Sequence, residues 1–399
     1  METSLFDYAL PKELITQFPA ERRDWSRLMV VDKKSRTITH RHFYDIVHYL
    51  GAGDLVVWNN TKVFKARLRG RAMLDTRLSL RMERSGMKQS LAVTNGIASS
   101  SRVLGTPHND STGVILNAPP VEIFLVRPME NKGVWRVLAK PGRKLRLGMK
   151  VVFAEDFACE ILLKENNGTF LAQFGDDDLV VREKANKYGE VPTPPYIGAS
   201  ATPEQYQTVY AKHEGSVAAP TAGFHFTPEL IEQLKNKGVE FAEVTLHVGM
   251  GTFVPVKTKK VEEHKMHGEW VELSAKNADL INAAKREGRR VVAVGTTTVR
   301  ALEGIAASGA VRPYTGDVNL FITPGFKFQI IDALITNFHL PQSTLLMLVS
   351  AFIADCHPEL VSGSPVASRQ AIKFTLDCYK KAIEAKYRFY SFGDAMLLK

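Results

Sequence analysis

The stretch Val291-Val292-Ala293-Val294-Gly295-Thr296-Thr297-Thr298-Val299-Arg300-Ala301-Leu302-Glu303 decides the fold. Its apolar run predicts a buried strand over 290–294, and Gly295 marks the turn after it. Val299, Leu302 and Ile305 then recur at the spacing of one helical face, which predicts a helix over 297–307. Strand, glycine, hydroxyl residues and helix N-terminus together form a cup suited to a phosphate or carboxylate. Thr296, Thr297 and Arg300 are therefore candidate binding residues, although the same residues also suit a capped helix that binds nothing.

The alternation extends outward. Thr227-Pro228-Glu229 supplies an N-cap, a proline at the first helical position and an acid in the first turn. Lys235, Lys237 and Gly238 close that helix. A strand over 239–248 follows, then a helix over 274–286 ended by Gly288. Earlier strands fall at 27–31 and 54–58. The last helix, 370–388, has Ile372, Leu376, Tyr379, Ile383 and Tyr387 spaced for one face. This pattern predicts an α/β domain with a mainly parallel sheet.

Between 65 and 174 the periodicity shifts to short strands, at 66–82, 121–126, 134–138, 150–153, 159–163 and 169–174. The expected architecture is α/β plus all-β: a discontinuous α/β domain (1–64 and 175–399) with an inserted small β-barrel (65–174). Residues 85–120, rich in Ser, Gly, Asn and Thr, read as a flexible excursion from the barrel. Within Ala66-Arg67-Leu68-Arg69-Gly70-Arg71, period-two alternation puts Arg67, Arg69 and Arg71 on one strand face.

Charge follows the same division. Lys and Arg number 52 against 42 Asp and Glu, for +10. Residues 61–84 hold eight basic and two acidic side chains; residues 132–150 hold seven basic, Arg143, Lys144 and Arg146 among them, and no acid. The rest of the chain is net negative. Such concentration favours a polyanionic partner, nucleic acid above all, over a merely solvated face.

Composition excludes other classes. With 45% hydrophobic and 24% charged residues the chain is globular, not disordered. No apolar run reaches the ~18 residues a membrane span needs, and Met1-Glu2-Thr3-Ser4 lacks the basic start of a secretory leader. Cys159, Cys356 and Cys378 are too scattered for a disulfide framework and are expected as reduced thiols in a cytoplasmic protein.

Chemistry concentrates between 218 and 270, where four of the 11 histidines sit among small residues. Thr221, Gly223 and His225 form one group; His247, Gly249, Gly251 and Thr252 form a second; His264 and His267 a third. Imidazole suits proton transfer near neutral pH, which makes His247 and His225 the candidate catalytic residues. His264 and His267 with Glu263 and Glu269 suggest a metal, but His-x-x-His here lacks a clear third ligand, so no metal is expected. Gly249-Met250-Gly251 follows a strand, yet extended chain rather than a helix continues from it, against a dinucleotide loop. Asn337 and His339 lie on a further polar loop, before an apolar helix that Ser343 can cap.

These motifs, with Phe6-Asp7-Tyr8-Ala9-Leu10-Pro11, Gly53-Asp54-Leu55-Val56-Val57-Trp58-Asn59-Asn60-Thr61, Phe321-Ile322-Thr323-Pro324-Gly325 and Tyr390-Ser391-Phe392-Gly393-Asp394, run in order along the chain. Together they resemble the S-adenosylmethionine:tRNA ribosyltransferase-isomerase family of queuosine biosynthesis. Departures fall at 85–120 and 355–368. The resemblance implies an α/β domain plus a β-barrel. It also implies S-adenosylmethionine as a consumed ribosyl donor, with no further cofactor. The acceptor it implies is 7-aminomethyl-7-deazaguanine at the tRNA wobble position, giving epoxyqueuosine, adenine and methionine. On that basis Thr221, Gly223, Gly249, Gly251, Thr252, His264, His267, Thr296, Thr297, Arg300, Asn337 and His339 are expected around the substrates. Arg67, Arg69, Arg71, Arg143, Lys144 and Arg146 are expected against the anticodon arm, in a protein that acts as a monomer.

Overall fold

The computed structural model describes residues 1–73, 120–165, 168–192, 197, 202–249, 256, 258–264, 266, 268–355 and 365–399, the side chains of 365–367 aside. The excursion expected at 85–120 and most of the 355–368 segment lie outside the described residues. The chain forms two compact units, Met1–Phe64 with Val191–Lys399, and Lys65–Glu190.

The first unit is built on a sheet of nine strands: β1 (Arg27–Asp32), β2 (Thr37–His42), β3 (Leu55–Asn59), β12 (Glu240–His247), β13 (Glu269–Leu273), β14 (Val291–Val294), β15 (Tyr314–Val318), β16 (Ala333–Asn337) and β17 (Ala395–Leu398). Their order is β15-β13-β12-β3-β14-β16-β17-β1-β2. The four central strands, β12, β3, β14 and β16, run parallel. The flanks do not: β13 and β15 return antiparallel on one side, while β17 opposes β16 and β2 opposes β1 on the other. The sheet is therefore mixed rather than mainly parallel. Strand pattern reports burial and not direction, and β17 (Ala395–Leu398), antiparallel to β16, is as apolar and buried as the central strands.

Burial on both faces explains the apolar runs of the centre. Leu55, Val57, Val291 and Ala293 join one core, while Val56, Val292 and Ile335 join the core on the opposite face. Helix α4 (Thr296–Ile305) follows β14, starting one residue before its expected position, and is buried from Thr296 through Glu303. The last helix, α6, runs Pro365–Glu384. Its buried positions are Ser368, Ala371, Ile372, Thr375, Cys378, Tyr379 and Ala382, while Leu376 and Ile383 are half-buried against the same core. The stripe is therefore turned from the expected one, and Tyr387 lies beyond the helix end.

The second unit is a closed six-stranded barrel, ordered β10-β7-β6-β5-β8-β9. Its strands are β5 (Arg67–Met73), β6 (Pro120–Pro128), β7 (Val134–Lys140), β8 (Lys150–Ala154), β9 (Phe157–Lys164) and β10 (Phe170–Phe174). In β5, Leu68, Gly70 and Ala72 point inward and the arginines between them outward. A side chain on Gly70 would meet Val152 O and the Phe153 ring at 2.7 Å, so the inward face has no room there. Helix α1 (Asp178–Tyr188) belongs to this unit, which extends to Glu190 rather than ending at 174. Asn186 of α1 accepts from Lys65 N at 3.0 Å, and Glu190 exchanges backbone hydrogen bonds with Arg67.

At the far end of α4, buried Glu303 accepts from Gln329 N (2.9 Å), Ile330 N (3.0 Å) and Ile331 N (3.0 Å). This carboxylate fixes the segment that leads into β16. Replacing Glu303 with Ala strands three backbone donors, each costing about 1–3 kcal/mol when buried. Urea denaturation should show a loss of about 3 kcal/mol or more; a loss below about 1 kcal/mol would show that water replaces the carboxylate freely.

Candidate active site

Sheet and helix meet at a cavity beyond the carboxyl ends of β14 and β16, where open α/β sheets place their ligands. Its open space, solvent-filled mouth included, is about 800 Å³. Thr221, Thr296, Thr297, Asn337 and His339 all line it.

Its floor is the start of α4. Gly295 adopts φ +88°, a region that side chains disfavour, and this lets β14 turn directly into the helix. No side chain caps the helix, and the Thr298 hydroxyl turns back to Val294 O at 2.7 Å. The first-turn N–H groups of Thr296 and Thr297 therefore lie at the cavity wall with the helix's positive end behind them.

One wall is a chain of hydrogen bonds. Asn337 Nδ2 donates to His225 Nε2 at 3.0 Å, and its Oδ1 accepts from the Thr221 hydroxyl at 3.0 Å. His225 must then carry its proton on Nδ1, donating to Ser26 Oγ at 2.7 Å; Ser26 in turn donates to Arg23 O at 3.0 Å. Both imidazole nitrogens are thus committed, and the ring packs against Phe43 at 5.0 Å. Burial lowers its pKa to about 4. His225 is not on the cavity wall; it stands behind Asn337 and fixes the carboxamide.

His247 does not reach the wall either. Its Nδ1 lies 2.7 Å from the Thr61 hydroxyl, and its ring stacks on Trp270 at 5.0 Å. The next residue, Val248, is the one that lines the cavity, and consecutive strand residues point to opposite faces. His339 is the imidazole on the wall. Its Nε2 is 2.9 Å from the Thr336 hydroxyl, its N–H donates to Tyr379 Oη, and its carbonyl accepts from Tyr8 Oη. Burial lowers its pKa to about 3, so it is neutral at pH 7.

The remaining expected residues divide. Arg300 is not at the anion cup; it forms a buried ion pair with Glu269, which also accepts from Gly249 N at 3.1 Å. That pairing removes Glu269 from any metal set. Gly223 is a packing glycine, since a side chain there would collide with Tyr210 Oη at 1.9 Å. His264 packs against Phe321 at 5.4 Å. Gly251, Thr252 and His267 lie outside the described residues. Ser26, Thr336 and Ser391 were missed. Thr336 adjoins the Asn337–His339 stretch, whereas Ser26 and Ser391 come from distant segments without a local signal.

On the barrel, Arg69 pairs with Glu190 at 3.0 Å and Arg67 approaches Glu122 at 3.9 Å. Arg71, Arg143, Lys144 and Arg146 are exposed and form no ion pair among the described residues.

A concave site at the carboxyl edge of a parallel sheet core, floored by a helix start and flanked by fixed polar groups, is the arrangement in which α/β enzymes hold small molecules. The chain belongs to the family described as queuosine biosynthesis protein, whose family model matches residues 3–398. It is 44% identical over 399 residues, all of both chains, to the S-adenosylmethionine:tRNA ribosyltransferase-isomerase of Thermotoga petrophila. It is 46% identical, again over all of both, to the enzyme of that name from Carboxydothermus hydrogenoformans. Among solved structures it is similar to S-adenosylmethionine tRNA ribosyltransferase from Thermotoga maritima, at 35% identity and TM-score 0.50, covering 99% of this chain and 100% of that one. The chain is accordingly an enzyme of the transferase-isomerase type.

The buried imidazoles carry a pH consequence. Unfolded histidine titrates near 6.5, while folded His225 and His339 take no proton until about pH 4 and about pH 3. As pH falls below about 6.5 the unfolded chain gains protons that the folded one refuses, so stability falls towards pH 4. Above pH 7 neither group adds a slope. His225 alone accounts for roughly 3 kcal/mol of this loss. Denaturation midpoints should drop more steeply with acid in the native protein than in His225→Asn; parallel profiles would contradict the assignment.

Proposed function

We propose that the enzyme transfers and isomerises the ribosyl moiety of S-adenosylmethionine onto 7-aminomethyl-7-deazaguanine at the wobble position of tRNA, giving epoxyqueuosine-tRNA, adenine and methionine. The observation that supports this reading is the cavity over the α4 N-terminus, in a chain similar over its whole length to enzymes named for S-adenosylmethionine and tRNA. The donor is consumed, so no resident cofactor or metal enters the scheme. The reading also places the enzyme with its tRNA in the cytoplasm, acting as a monomer; no described helix is long and apolar enough to cross a membrane.

The donor's methionine carboxylate meets the first-turn N–H groups of Thr296 and Thr297, where the helix end favours an anion. Asn337, held by His225 and Thr221, presents a carboxamide of fixed orientation to the donor. The reaction begins with loss of the ribose 5′ proton, acidified by the sulfonium. Elimination opens the C4′–O4′ bond to a vinyl sulfonium, and C1′ becomes an aldehyde as adenine leaves and takes up the proton. The aminomethyl nitrogen adds at C4′, the regenerated C5′ carbanion closes on C1′, and the resulting alkoxide displaces methionine from C5′ to form the epoxide. His339 stays neutral in this environment, which suits a hydrogen-bond partner for departing adenine better than a store for the 5′ proton. His225 is a positioning residue acting through Asn337.

Chromatography of the reaction should show adenine and methionine forming together with modified tRNA; S-adenosylhomocysteine would indicate a methyltransferase, and no turnover a binding protein. His339→Ala should lower kcat by about 10²-fold or more with the donor still bound, and a near-normal kcat would remove His339 from the chemistry.

The barrel's exposed cations meet the anticodon-arm backbone in this reading, while the wobble base leaves its stack to reach the donor. Each genuine phosphate contact contributes roughly 0.7–0.9 to the log–log salt slope. Neutralising Arg143, Lys144 and Arg146 together should lower the slope for tRNA binding by about 2–3. Arg67 and Arg69, engaged with carboxylates, should contribute less than Arg71. An unchanged slope in the triple variant would put the RNA path elsewhere.

A further inference from the structure

We infer that Trp25 is a stacking platform for an unpaired base of single-stranded RNA, a neighbour of the base that enters the cavity. This rests on the reading of the chain as a tRNA-modifying enzyme. Trp25 is 52% exposed, whereas Trp58 and Trp135 are buried and Trp270 is half-buried. No aromatic ring among the described residues packs on it; the Arg22 guanidinium lies 5.0 Å from its ring centroid.

Slack in the chain does not account for this exposure, because the 3-10 turn Arg23–Trp25 is tied down on every side. Arg23 donates to Gln207 O at 2.7 Å and Glu204 O at 2.6 Å, and lies over the Phe224 ring at 5.5 Å. Asp24 is buried and accepts from Arg22 at 3.1 Å. Ser26 is held by His225. The indole is thus held outward on a rigid support. Because Arg23 bonds to carbonyls rather than carboxylates, its charge is not cancelled by those partners.

Location supplies the rest. Arg23, Ser26 and His225 line a surface cleft with Arg388 and Ser391, and Ser391 also lines the donor cavity. Phe18, 62% exposed, precedes Pro19 and Ala20 on the same cleft. A rigid exposed π-face with guanidinium groups, beside a cavity that takes an extruded base, fits the stacking and backbone needs of an unstacked loop nucleotide.

The test is a titration of the full chain with an anticodon stem-loop RNA, followed by tryptophan fluorescence and by an independent affinity measurement. RNA should quench the native protein and leave Trp25→Phe largely unquenched. Trp25→Ala should bind the RNA about 5- to 150-fold more weakly, the range of one base–aromatic stack, with S-adenosylmethionine affinity retained as the check on folding. RNA binding with undiminished quenching in Trp25→Phe, or with unchanged affinity in Trp25→Ala, would overturn the platform and leave the tRNA reading intact. Absence of RNA binding by the native chain would overturn both. Concentration-dependent dimerisation of the native chain that Trp25→Ala abolishes would assign the indole to a second copy and overturn the platform.

Discussion

The site depends on one constraint: a buried helix must end its N-terminal turn in the cavity without a side chain to cap it. Gly295 makes the geometry possible by adopting φ +88° between β14 and α4. An exposed helix would satisfy its first-turn donors with water or an N-cap residue. Here the Thr298 hydroxyl binds back to Val294 O. Burial of the whole first turn raises the cost of leaving those N–H groups unpartnered, the condition under which helix starts take up anions.

Around that floor the structure fixes orientation more than charge. Asn337 lies in a chain of hydrogen bonds running from Arg23 O through Ser26 and His225 to Thr221. His339 is anchored through both its backbone and its ring. Desolvation holds both imidazoles neutral, so their hydrogen-bond roles do not change near physiological pH. Among the described residues, Arg300 forms a buried ion pair with Glu269, whose carboxylate also accepts from Gly249 N. The Glu269 carboxylate thereby ties Arg300 to Gly249, just past the end of β12.

Much of this was legible in the sequence because local chemistry dictated it. Thr227 and Ser274 cap their helices, and the alternating arginines of β5 face outward as period two requires. The barrel strands fall where turn residues delimit apolar runs. The strand–glycine–helix junction at Gly295 was legible for the same reason, and Thr221, Asn337 and His339 line the cavity beside it. What failed to show depended on distance through space. The partner of Arg300 lies 31 residues away, so a guanidinium near a helix start looked like a ligand group. His225 and His247 looked catalytic because they sit among small residues, but strand alternation and the Ser26 and Thr61 contacts turn them from the wall. Strand direction at the sheet flanks has no counterpart in local periodicity.

The most direct measurement is a structure of the enzyme with S-adenosylmethionine and an anticodon stem-loop bound. The donor is expected in the cavity, its carboxylate within hydrogen-bond distance of Thr296 N or Thr297 N, and Asn337 in contact with it. Donor density elsewhere on the chain, or a carboxylate turned away from α4, would contradict it.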